Sequence, residues 1–264
     1  MLKKVITLTL ALLMLLTCLT ACAPQPLTVE SVQKAGKLVI GTSPDFPPFE
    51  YLDADGNVVG IEIDMLEIIC EKLGVSLEIK QMDFDSVLPG VQTGKFNVGV
   101  SGISVTPERE KNTLFSIPYC LAAQAIVVTS DSTITGKADL EGKAVSVQTG
   151  TTAEEFCMGE GYTVKAFAAN ADAQTALTTG KVAAWVIDDL TAAEMVATYN
   201  EDHPDAPLVI LDEAMTTEPY ALAFAQGGDN LVAEINKILQ EMLDDGTIAK
   251  IFKKYNAPYT APQA

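Results

Sequence analysis

Short apolar runs alternate along this chain with longer segments in which apolar residues recur every three or four positions. Runs of the first kind are typical of buried strands, and the second pattern is typical of amphipathic helices. In the first part of the chain the pattern predicts strands over residues 38–41, 75–79 and 96–100, and helices over 61–73 and 85–93. Gly74 and Gly94 follow the two helices, in the position where glycine commonly ends a helix.

The same alternation begins again after residue 123. It predicts strands over residues 124–128, 144–147, 164–167, 183–187 and 208–210, with helices over 152–158, 172–179 and 189–199 between them. A strand over 220–224 then returns to the first block, and helices over 231–243 and 247–255 follow, separated by Gly246. This order predicts an α/β fold of two lobes, the second inserted in the first.

The insertion sets the expected lobe boundaries. We place lobe 1 at residues 38–122 and 218–264 and lobe 2 at 123–217, with crossings near 121–124 and 216–219. Ligands of open α/β sheets bind beyond the carboxyl ends of the strands, and pockets form preferentially where two domains meet. We therefore expect a ligand cleft between the lobes.

The first residues have the features of an export signal. Lys3 and Lys4 precede an apolar run over residues 5–16, which is of signal-peptide length and too short for a membrane-spanning anchor, the main alternative. Leu19-Thr20-Ala21-Cys22 follows and resembles the bacterial lipobox, in which the cysteine is lipidated. We predict a signal peptide over 1–21, a lipidated tether with the lead into the first strand over 22–37, and an extracytoplasmic protein anchored to the cell membrane through Cys22.

Composition and charge narrow the function. The 264 residues are 48% apolar, which is enough for two packed cores. The net charge is −18, and loss of Lys3 and Lys4 with the signal makes it −20. With no basic stripe to oppose this charge, the chain is not expected to bind nucleic acid. The simplest interpretation of the acidic surface is solubility.

Several kinds of catalytic and metal site are missing from the sequence. The chain has a single histidine, His203, in a polar loop, and it has neither a phosphate-binding P-loop nor a nucleophile elbow. Cys70, Cys120 and Cys157 include no C-x-x-C pair, so no zinc or redox site is indicated. A Cys120–Cys157 disulfide stays open. We expect no cofactor and no metal.

Arg109 is the first candidate for a binding residue. It follows Thr106 and Pro107, a good N-cap and a good first helical residue, directly after a predicted strand. A cation in the first helical turn opposes the helix dipole, and such a local conflict at a strand end favours a function. A guanidinium reaching back toward 101–104 can hold a carboxylate by two parallel hydrogen bonds. The alternative is a surface arginine paired with a neighbouring glutamate.

Three further features follow predicted strands. Thr151 and Thr152 each precede a glutamate by three positions, a pattern for helix capping that also exposes backbone N–H groups to an anion. Asp188 ends an apolar strand and is free to accept an ammonium group if Asp189 caps the next helix. Phe46 and Phe84 lie in loops after strands and offer aromatic faces. Ordinary capping and core packing are the alternatives.

In this order, these features resemble bacterial extracellular solute-binding proteins of family 3, the amino-acid-binding components of ABC importers. The similarity runs from about residue 38 to 255, and its most specific phrases lie at 41–50, 101–109, 148–152 and 245–251. It implies a periplasmic-binding-protein-like fold of two lobes that close on a free amino acid and deliver it to an ABC permease with its ATPase. It also implies a monomer without enzymatic activity.

The resemblance implies how the ligand backbone is held. Arg109 pairs with the α-carboxylate, helped by Ser104 and by the backbone and hydroxyl of Thr152. Asp188 holds the α-ammonium, and the Gly102 carbonyl shares it. One fixed cation and one fixed anion match a zwitterion, as the residue pattern by itself suggests.

The resemblance also implies a side-chain pocket. Phe46 and Phe84 sandwich the ligand side chain, whose far end is lined by Ser43, Gln148 and Ile187. Some relatives that bind basic or amide side chains have an acid where this chain has Ser43. Asp45 lies two positions later, so the sequence leaves its role undecided and favours only a polar amino acid.

Two other functions occur on similar chains. One is a dehydratase acting on cyclic amino-acid precursors such as prephenate or arogenate, which requires an acid or base in the cleft beyond the residues that grip the ligand. The other is a ligand sensor for a signalling partner. The sequence offers no clear additional acid or base, and the predicted lipid tether is more consistent with import.

Overall fold

The computed structural model of this chain describes residues 27–213 and 215–262. The predicted signal peptide and Cys22 therefore lie outside the described residues.

The described residues alternate strands and helices along most of their length. The strands are β1 (Lys37–Thr42), β2 (Asp45–Phe46), β3 (Glu50–Leu52), β4 (Val58–Val59), β5 (Ser76–Gln81), β6 (Val98–Gly99), β7 (Thr113–Phe115), β8 (Cys120–Ala122), β9 (Gln124–Thr129), β10 (Ala144–Gln148), β11 (Thr163–Phe167), β12 (Ala184–Asp188), β13 (Leu208–Ile210), β14 (Glu218–Tyr220) and β15 (Ala223–Ala225). The helices are α1 (Val29–Ala35), α2 (Ile61–Leu73), α3 (Val87–Gln92), α4 (Pro107–Glu110), α5 (Thr152–Gly159), α6 (Asn170–Thr178), α7 (Asp189–Asp202), α8 (Asp229–Asp244) and α9 (Thr247–Lys254). Short 3₁₀ turns cover Phe84–Ser86 and Lys137–Leu140.

Two five-stranded sheets carry the fold. The first has the order β5–β1–β6–β15–β7, with β1 parallel to β5 and β6 and with β15 antiparallel to its neighbours. The second has the order β11–β10–β12–β9–β13, with β10 parallel to β11 and β12 and with β9 antiparallel to β12 and β13. Strands from both ends of the described chain build the first sheet, and the second is formed within residues 124–210. The architecture is the two-lobed α/β fold that the sequence pattern predicts.

A two-stranded sheet links the two parts. Strand β8 pairs antiparallel with β14, so the outgoing and returning segments lie side by side. The chain near its C-terminal end joins them, because the Leu121 N–H donates to the Thr260 carbonyl at 3.0 Å. The Tyr259 hydroxyl also donates to the Tyr119 carbonyl at 3.2 Å. The crossing is thus a small sheet edge covered by residues 259–260.

Two helix boundaries that the sequence predicts from a glycine lie where they were predicted. Helix α2 spans Ile61–Leu73 as predicted, and Gly74 ends it with a φ of 72°. Gly246 separates α8 from α9 with a φ of 74°. Both are left-handed conformations that glycine adopts without steric cost, which is why these ends are visible in the sequence.

Other elements differ from the prediction. The strand expected over 220–224 is two strands, β14 and β15, one at the crossing and one in the first sheet. The helix expected over 85–93 begins as a 3₁₀ turn and continues as α3. Helix α1 lies within the segment assigned to the tether, and the hairpin sheet β2–β3–β4 has strands of two or three residues, too short for a period to be read.

The cysteines are interior residues. Cys70, Cys120 and Cys157 are all buried and free, so the disulfide that the sequence left open between the last two is not formed. Burial raises the pKa of the Cys157 thiol to about 12, with the charge of Glu160 a smaller cause. Such a thiol stays protonated and unreactive.

Two fully buried carboxyl groups meet behind the first sheet. Glu62, in the first turn of α2, accepts the Gly102 N–H at 3.0 Å and the Tyr119 hydroxyl at 2.5 Å. Glu50 accepts the Ser101 hydroxyl at 2.8 Å on one oxygen, and its other oxygen has no partner among the described residues. Burial first, and then the charge of Glu62, raises the pKa of Glu50 well above its usual value. The oxygen without a partner, the burial and the neighbouring carboxyl all favour the protonated form of Glu50.

Replacing Glu50 by glutamine should change how stability depends on pH. Because the pKa of Glu50 is higher in the folded protein than in the unfolded chain, the contribution of this group to stability is full at low pH and is lost as pH rises above about 4.3. The amide of Glu50→Gln does not titrate, so the variant should lose less over that range. Urea unfolding of both proteins at several pH values measures this, and parallel pH dependences would contradict a protonated Glu50.

Candidate ligand-binding site

The two large sheets place polar loops opposite each other. A small cavity, about 10 Å³, lies between loops that follow β1, β5 and β6 on one side and β10 and β12 on the other. It is lined by Phe46, Phe84, Ser101, Gly102, Ser104, Arg109, Gln148, Thr151, Thr152 and Asp188. An adjoining cavity, also about 10 Å³, adds Gln124, Asn170 and Ile187. Eight of the ten residues predicted to contact ligand therefore line the first cavity, Ile187 lines the adjoining one, and Ser43 is bonded to Ser101 beside them.

Arg109 is a buried cation without a carboxylate partner. Arg109 is only 8% exposed. Its two terminal nitrogens donate to the Ser104 carbonyl at 3.0 Å and to the Gly150 carbonyl at 3.1 Å. It forms no salt bridge with a carboxylate of the described residues. The guanidinium also lies 5.8 Å from the Phe84 ring centre. Burial lowers its pKa, and nearby carboxylates oppose that shift.

The length of helix α4 corrects one part of the prediction for Arg109. Helix α4 is a single turn, so Arg109 stands in its first and last turns at once and the predicted conflict with a helix dipole carries little weight. The cap itself is as predicted, because the Thr106 hydroxyl accepts the Arg109 N–H at 3.2 Å. The alternative of a surface ion pair is wrong, since Glu108 pairs with Lys111 and the guanidinium points inward.

Asp188 provides a carboxyl group at the cavity wall. It ends β12, is 9% exposed, and accepts a hydrogen bond from the Gln124 side-chain amide. Burial, followed by the charge of Glu218, raises its pKa well above the usual value. The structure corrects the predicted cap: Asp188 holds the N-cap position of α7 without a capping bond, and Asp189 is already helical. The Asp188 side chain is nevertheless turned into the cleft.

Thr152 and Ser104 face each other across the cleft, 3.5 Å apart at their hydroxyl oxygens. Both donate to the carboxylate of Glu218, which the sequence analysis did not identify. The second predicted capping role is therefore wrong: Thr151 alone caps α5, accepting the Glu154 N–H at 3.2 Å, and the Thr152 hydroxyl is used across the cleft. This cap satisfies the Glu154 N–H, and the N–H groups of Thr152 and Ala153 precede the first acceptor that the helix itself provides.

A second polar cluster lies at the other end of the cleft. Asp45 accepts the Ser43 hydroxyl at 3.0 Å, the Gln148 amide at 3.1 Å and the Asn170 backbone N–H at 2.8 Å. Burial raises the pKa of Asp45, and the bond from Asn170 is the largest opposing cause. Asp45 therefore joins a loop of the first sheet to two residues of the second.

Phe46 is held by its surroundings. Its ring stacks on Phe49 at 5.7 Å between centres, and it packs over Gly102, where an added Cβ would come within 2.6 Å of the ring. Gly102 has a φ of 53°, so glycine is required there for conformation and for space. The aromatic face that the sequence predicts is thus a rigid wall of the cavity.

Three polar residues of the site escaped sequence analysis. Glu218, Gln124 and Asn170 are buried and bond to predicted site residues. Glu218 stands at a crossing outside the predicted helices and strands, and Gln124 is the polar first residue of the strand predicted over 124–128. Their one signal is a charged or amide side chain next to an apolar strand.

Within the described residues, no cluster of three or more histidine, cysteine, aspartate or glutamate side chains is placed to hold a metal ion. Nor does any helix in that part of the chain combine the length and apolar character needed to cross a bilayer.

Several known proteins are similar to this chain in sequence or in structure. The arginine-binding extracellular protein ArtP of Bacillus subtilis (strain 168) is 33% identical over 242 residues, covering 90% of this chain and 92% of that protein. The arginine-bound form of truncated ArgBP from T. maritima matches with a TM-score of 0.75 and 38% identity, covering 81% and 99% of the two chains. An ancestral amino-acid-binding protein, described as a precursor of cyclohexadienyl dehydratase, matches with a TM-score of 0.78 and 33% identity, covering 86% and 98%.

The sequence profile of one family matches residues 38–258, which is most of the chain. Its span includes both large sheets, the crossing between them and every residue that lines the cavity. Together with the relatives that match nearly end to end, this establishes that the chain belongs to the bacterial extracellular solute-binding proteins of family 3.

Proposed function

We propose that this protein is the extracytoplasmic binding component of an amino-acid ABC importer. It is lipidated at Cys22, binds one free amino acid between its lobes and delivers it to a permease with its ATPase. The observation that carries the proposal is the buried Arg109 guanidinium, which has only carbonyl partners and faces Asp188 across one cavity.

The cavity chemistry suits the backbone of an amino acid. A guanidinium stays charged, and a buried charge is stable only when hydrogen bonds or an opposite charge compensate it. A ligand α-carboxylate supplies that charge at Arg109, and the free N–H groups at the start of α5 add donors to it. The α-ammonium is held by Asp188 and the Gly102 carbonyl. Phe46 and Phe84 enclose the side chain, with Ser43, Gln148 and Ile187 at its far end.

The charge balance of the cleft favours a cationic side chain. Asp45, Asp188 and Glu218 provide carboxylates, and Arg109 provides the one guanidinium among the residues that line or adjoin the cavity. A neutral amino acid leaves two negative charges uncompensated, whereas a cationic one leaves one. Arginine-binding relatives support the same choice. We propose arginine or a similar cation as the ligand, which narrows the polar class expected from sequence.

Closure is proposed to occur about the crossing segments. Lobe 1 comprises residues 27–122 and 218–262 and lobe 2 residues 123–217, with β8 and β14 between them. Ligand contacts with both lobes favour the closed form only to the extent of their differential affinity for it. The closed form then presents both lobe surfaces to the permease.

A dehydratase is the second candidate, because one structural relative is described as the precursor of such an enzyme. Asp188, whose raised pKa suits a general acid, is the residue this function requires. The same side chain is needed to hold an ammonium, and the named relative is itself an amino-acid-binding protein. Binding without turnover is therefore the better-supported function, and product formed from prephenate or arogenate would favour the enzyme.

Removing the guanidinium should abolish ligand binding. We expect Arg109→Ala to weaken binding of L-arginine by at least about 3 kcal/mol, more than a hundredfold, because the ligand carboxylate is left buried and unpaired. Isothermal titration calorimetry measures the loss. Lys111→Ala, which removes an exposed cation two positions away, is the control and should bind as the wild type does. Unchanged affinity in Arg109→Ala would refute the site.

The proposed ligand class depends on Asp45. Asp45→Asn keeps the shape of the side chain and removes its charge, so affinity for L-arginine should fall about tenfold and affinity for L-glutamine should not fall. Asp55→Asn, in an exposed loop, controls for the change in total charge. Equal losses for both ligands would assign Asp45 a structural role and remove the preference for a cation.

A further inference from the structure

Glu218 joins the two lobes through a single carboxylate. It begins β14 at the crossing and is 7% exposed. One of its oxygens accepts hydrogen bonds from the Ser104 hydroxyl, in lobe 1, and from the Thr152 hydroxyl at 2.6 Å, in lobe 2. The other accepts the Thr216 hydroxyl at 2.8 Å. Every oxygen of this buried carboxylate is therefore satisfied, and the bonds reach both sides of the cleft.

These bonds limit what the two hydroxyls offer a ligand. A hydroxyl has one proton, so a Ser104 or Thr152 hydroxyl that donates to Glu218 has none for a ligand carboxylate. The family resemblance assigns both to that carboxylate. With Glu218 present, the donors that remain for it are the Arg109 guanidinium and the N–H groups at the start of α5.

We propose that Glu218 is a positioning residue that holds the lobes closed by binding hydroxyls of both. Charge-assisted hydrogen bonds from neutral donors to a buried carboxylate are stronger than neutral ones, and the bond to Thr152 forms only when lobe 2 lies against lobe 1. The residue thus stabilises the closed form independently of the ligand side chain. The proposal rests on the proposed binding by lobe closure, since affinity rises with the fraction of protein in the competent form.

The surroundings of Glu218 agree with this role. Its charge raises the pKa of Asp188 and opposes the lowering of the Arg109 pKa, so it acts on both groups that are proposed to hold the ligand backbone. Opening the cleft takes Thr152 away and leaves the carboxylate with Ser104 of lobe 1 and with Thr216, two positions away in the same crossing segment. Closing restores the complete set of bonds.

Two variants remove the Glu218–Thr152 hydrogen bond between the lobes, called the latch below, one from each partner. Glu218→Gln removes the charge, and Thr152→Val removes the lobe 2 hydroxyl while keeping the shape of the side chain. We expect each to raise the dissociation constants of L-arginine and L-glutamine alike by about tenfold, the effect of losing one charge-assisted bond. In the double variant the losses should not add, because both changes remove one interaction. Glu201→Gln, an exposed charge change on α7, is the control.

Small-angle X-ray scattering of the ligand-free proteins separates this proposal from the proposed function. Glu218→Gln and Thr152→Val should have a larger radius of gyration than the wild type, whether or not any amino acid binds. If the wild type binds neither ligand but the scattering differs as expected, the proposed function fails and the latch stands.

Several results would overturn the latch. Unchanged scattering and affinity would leave Glu218 with a role in stability alone. A loss confined to L-arginine would make its effect one of charge on the ligand side chain. Tighter binding in either variant would show that Glu218 competes with the ligand carboxylate for the two hydroxyls.

Discussion

The cleft depends on the permanent positive charge of the buried Arg109 guanidinium. The guanidinium of Arg109 stays protonated at any pH at which the protein is folded, and its burial leaves it with two carbonyl acceptors, one from Ser104 and one from Gly150. Each acceptor belongs to a different side of the cleft. Carbonyl dipoles compensate a buried cation only in part, so the arrangement is most stable when an anion completes it.

Sheet topology explains why the remaining groups converge there. The parallel strands of each large sheet end on the cleft side, so the loops after β1 and β6 meet those after β10 and β12. The ordinary rule that ligands bind beyond the carboxyl ends of parallel strands applies twice, once for each lobe. The antiparallel pair β8–β14 then brings Glu218 between them. Burial in the cleft raises the pKa of Asp188, and the charge of Glu218 raises it further.

The sequence predicted those elements whose structure is decided by residues a few positions apart. Helix α2 was predicted residue for residue, because its apolar period and Gly74 act within a few positions. Arg109, Thr152, Asp188, Phe46 and Phe84 were candidates because they follow predicted strands. The roles of Ser104, Gly102, Ser43, Gln148 and Ile187 were implied only by the family resemblance. Glu218 was not predicted, because its partners Ser104 and Thr152 lie 114 and 66 positions away and no period marks a residue at a crossing. The raised pKa of Glu50 likewise depends on burial beside Glu62, which only the folded chain creates.

The strand edge covered by residues 259–260 has a practical consequence. The Leu121 N–H is bonded to Thr260, and Tyr259 is bonded to the same outgoing segment. In this crossing β8 lies between β14 and residues 259–260. Any relative rotation of the lobes must distort it, so the chain near Thr260 moves as well. An environment-sensitive fluorophore placed there would report opening without occupying the cleft, and a bulky fusion at the same place would alter the rotation that it was meant to leave alone.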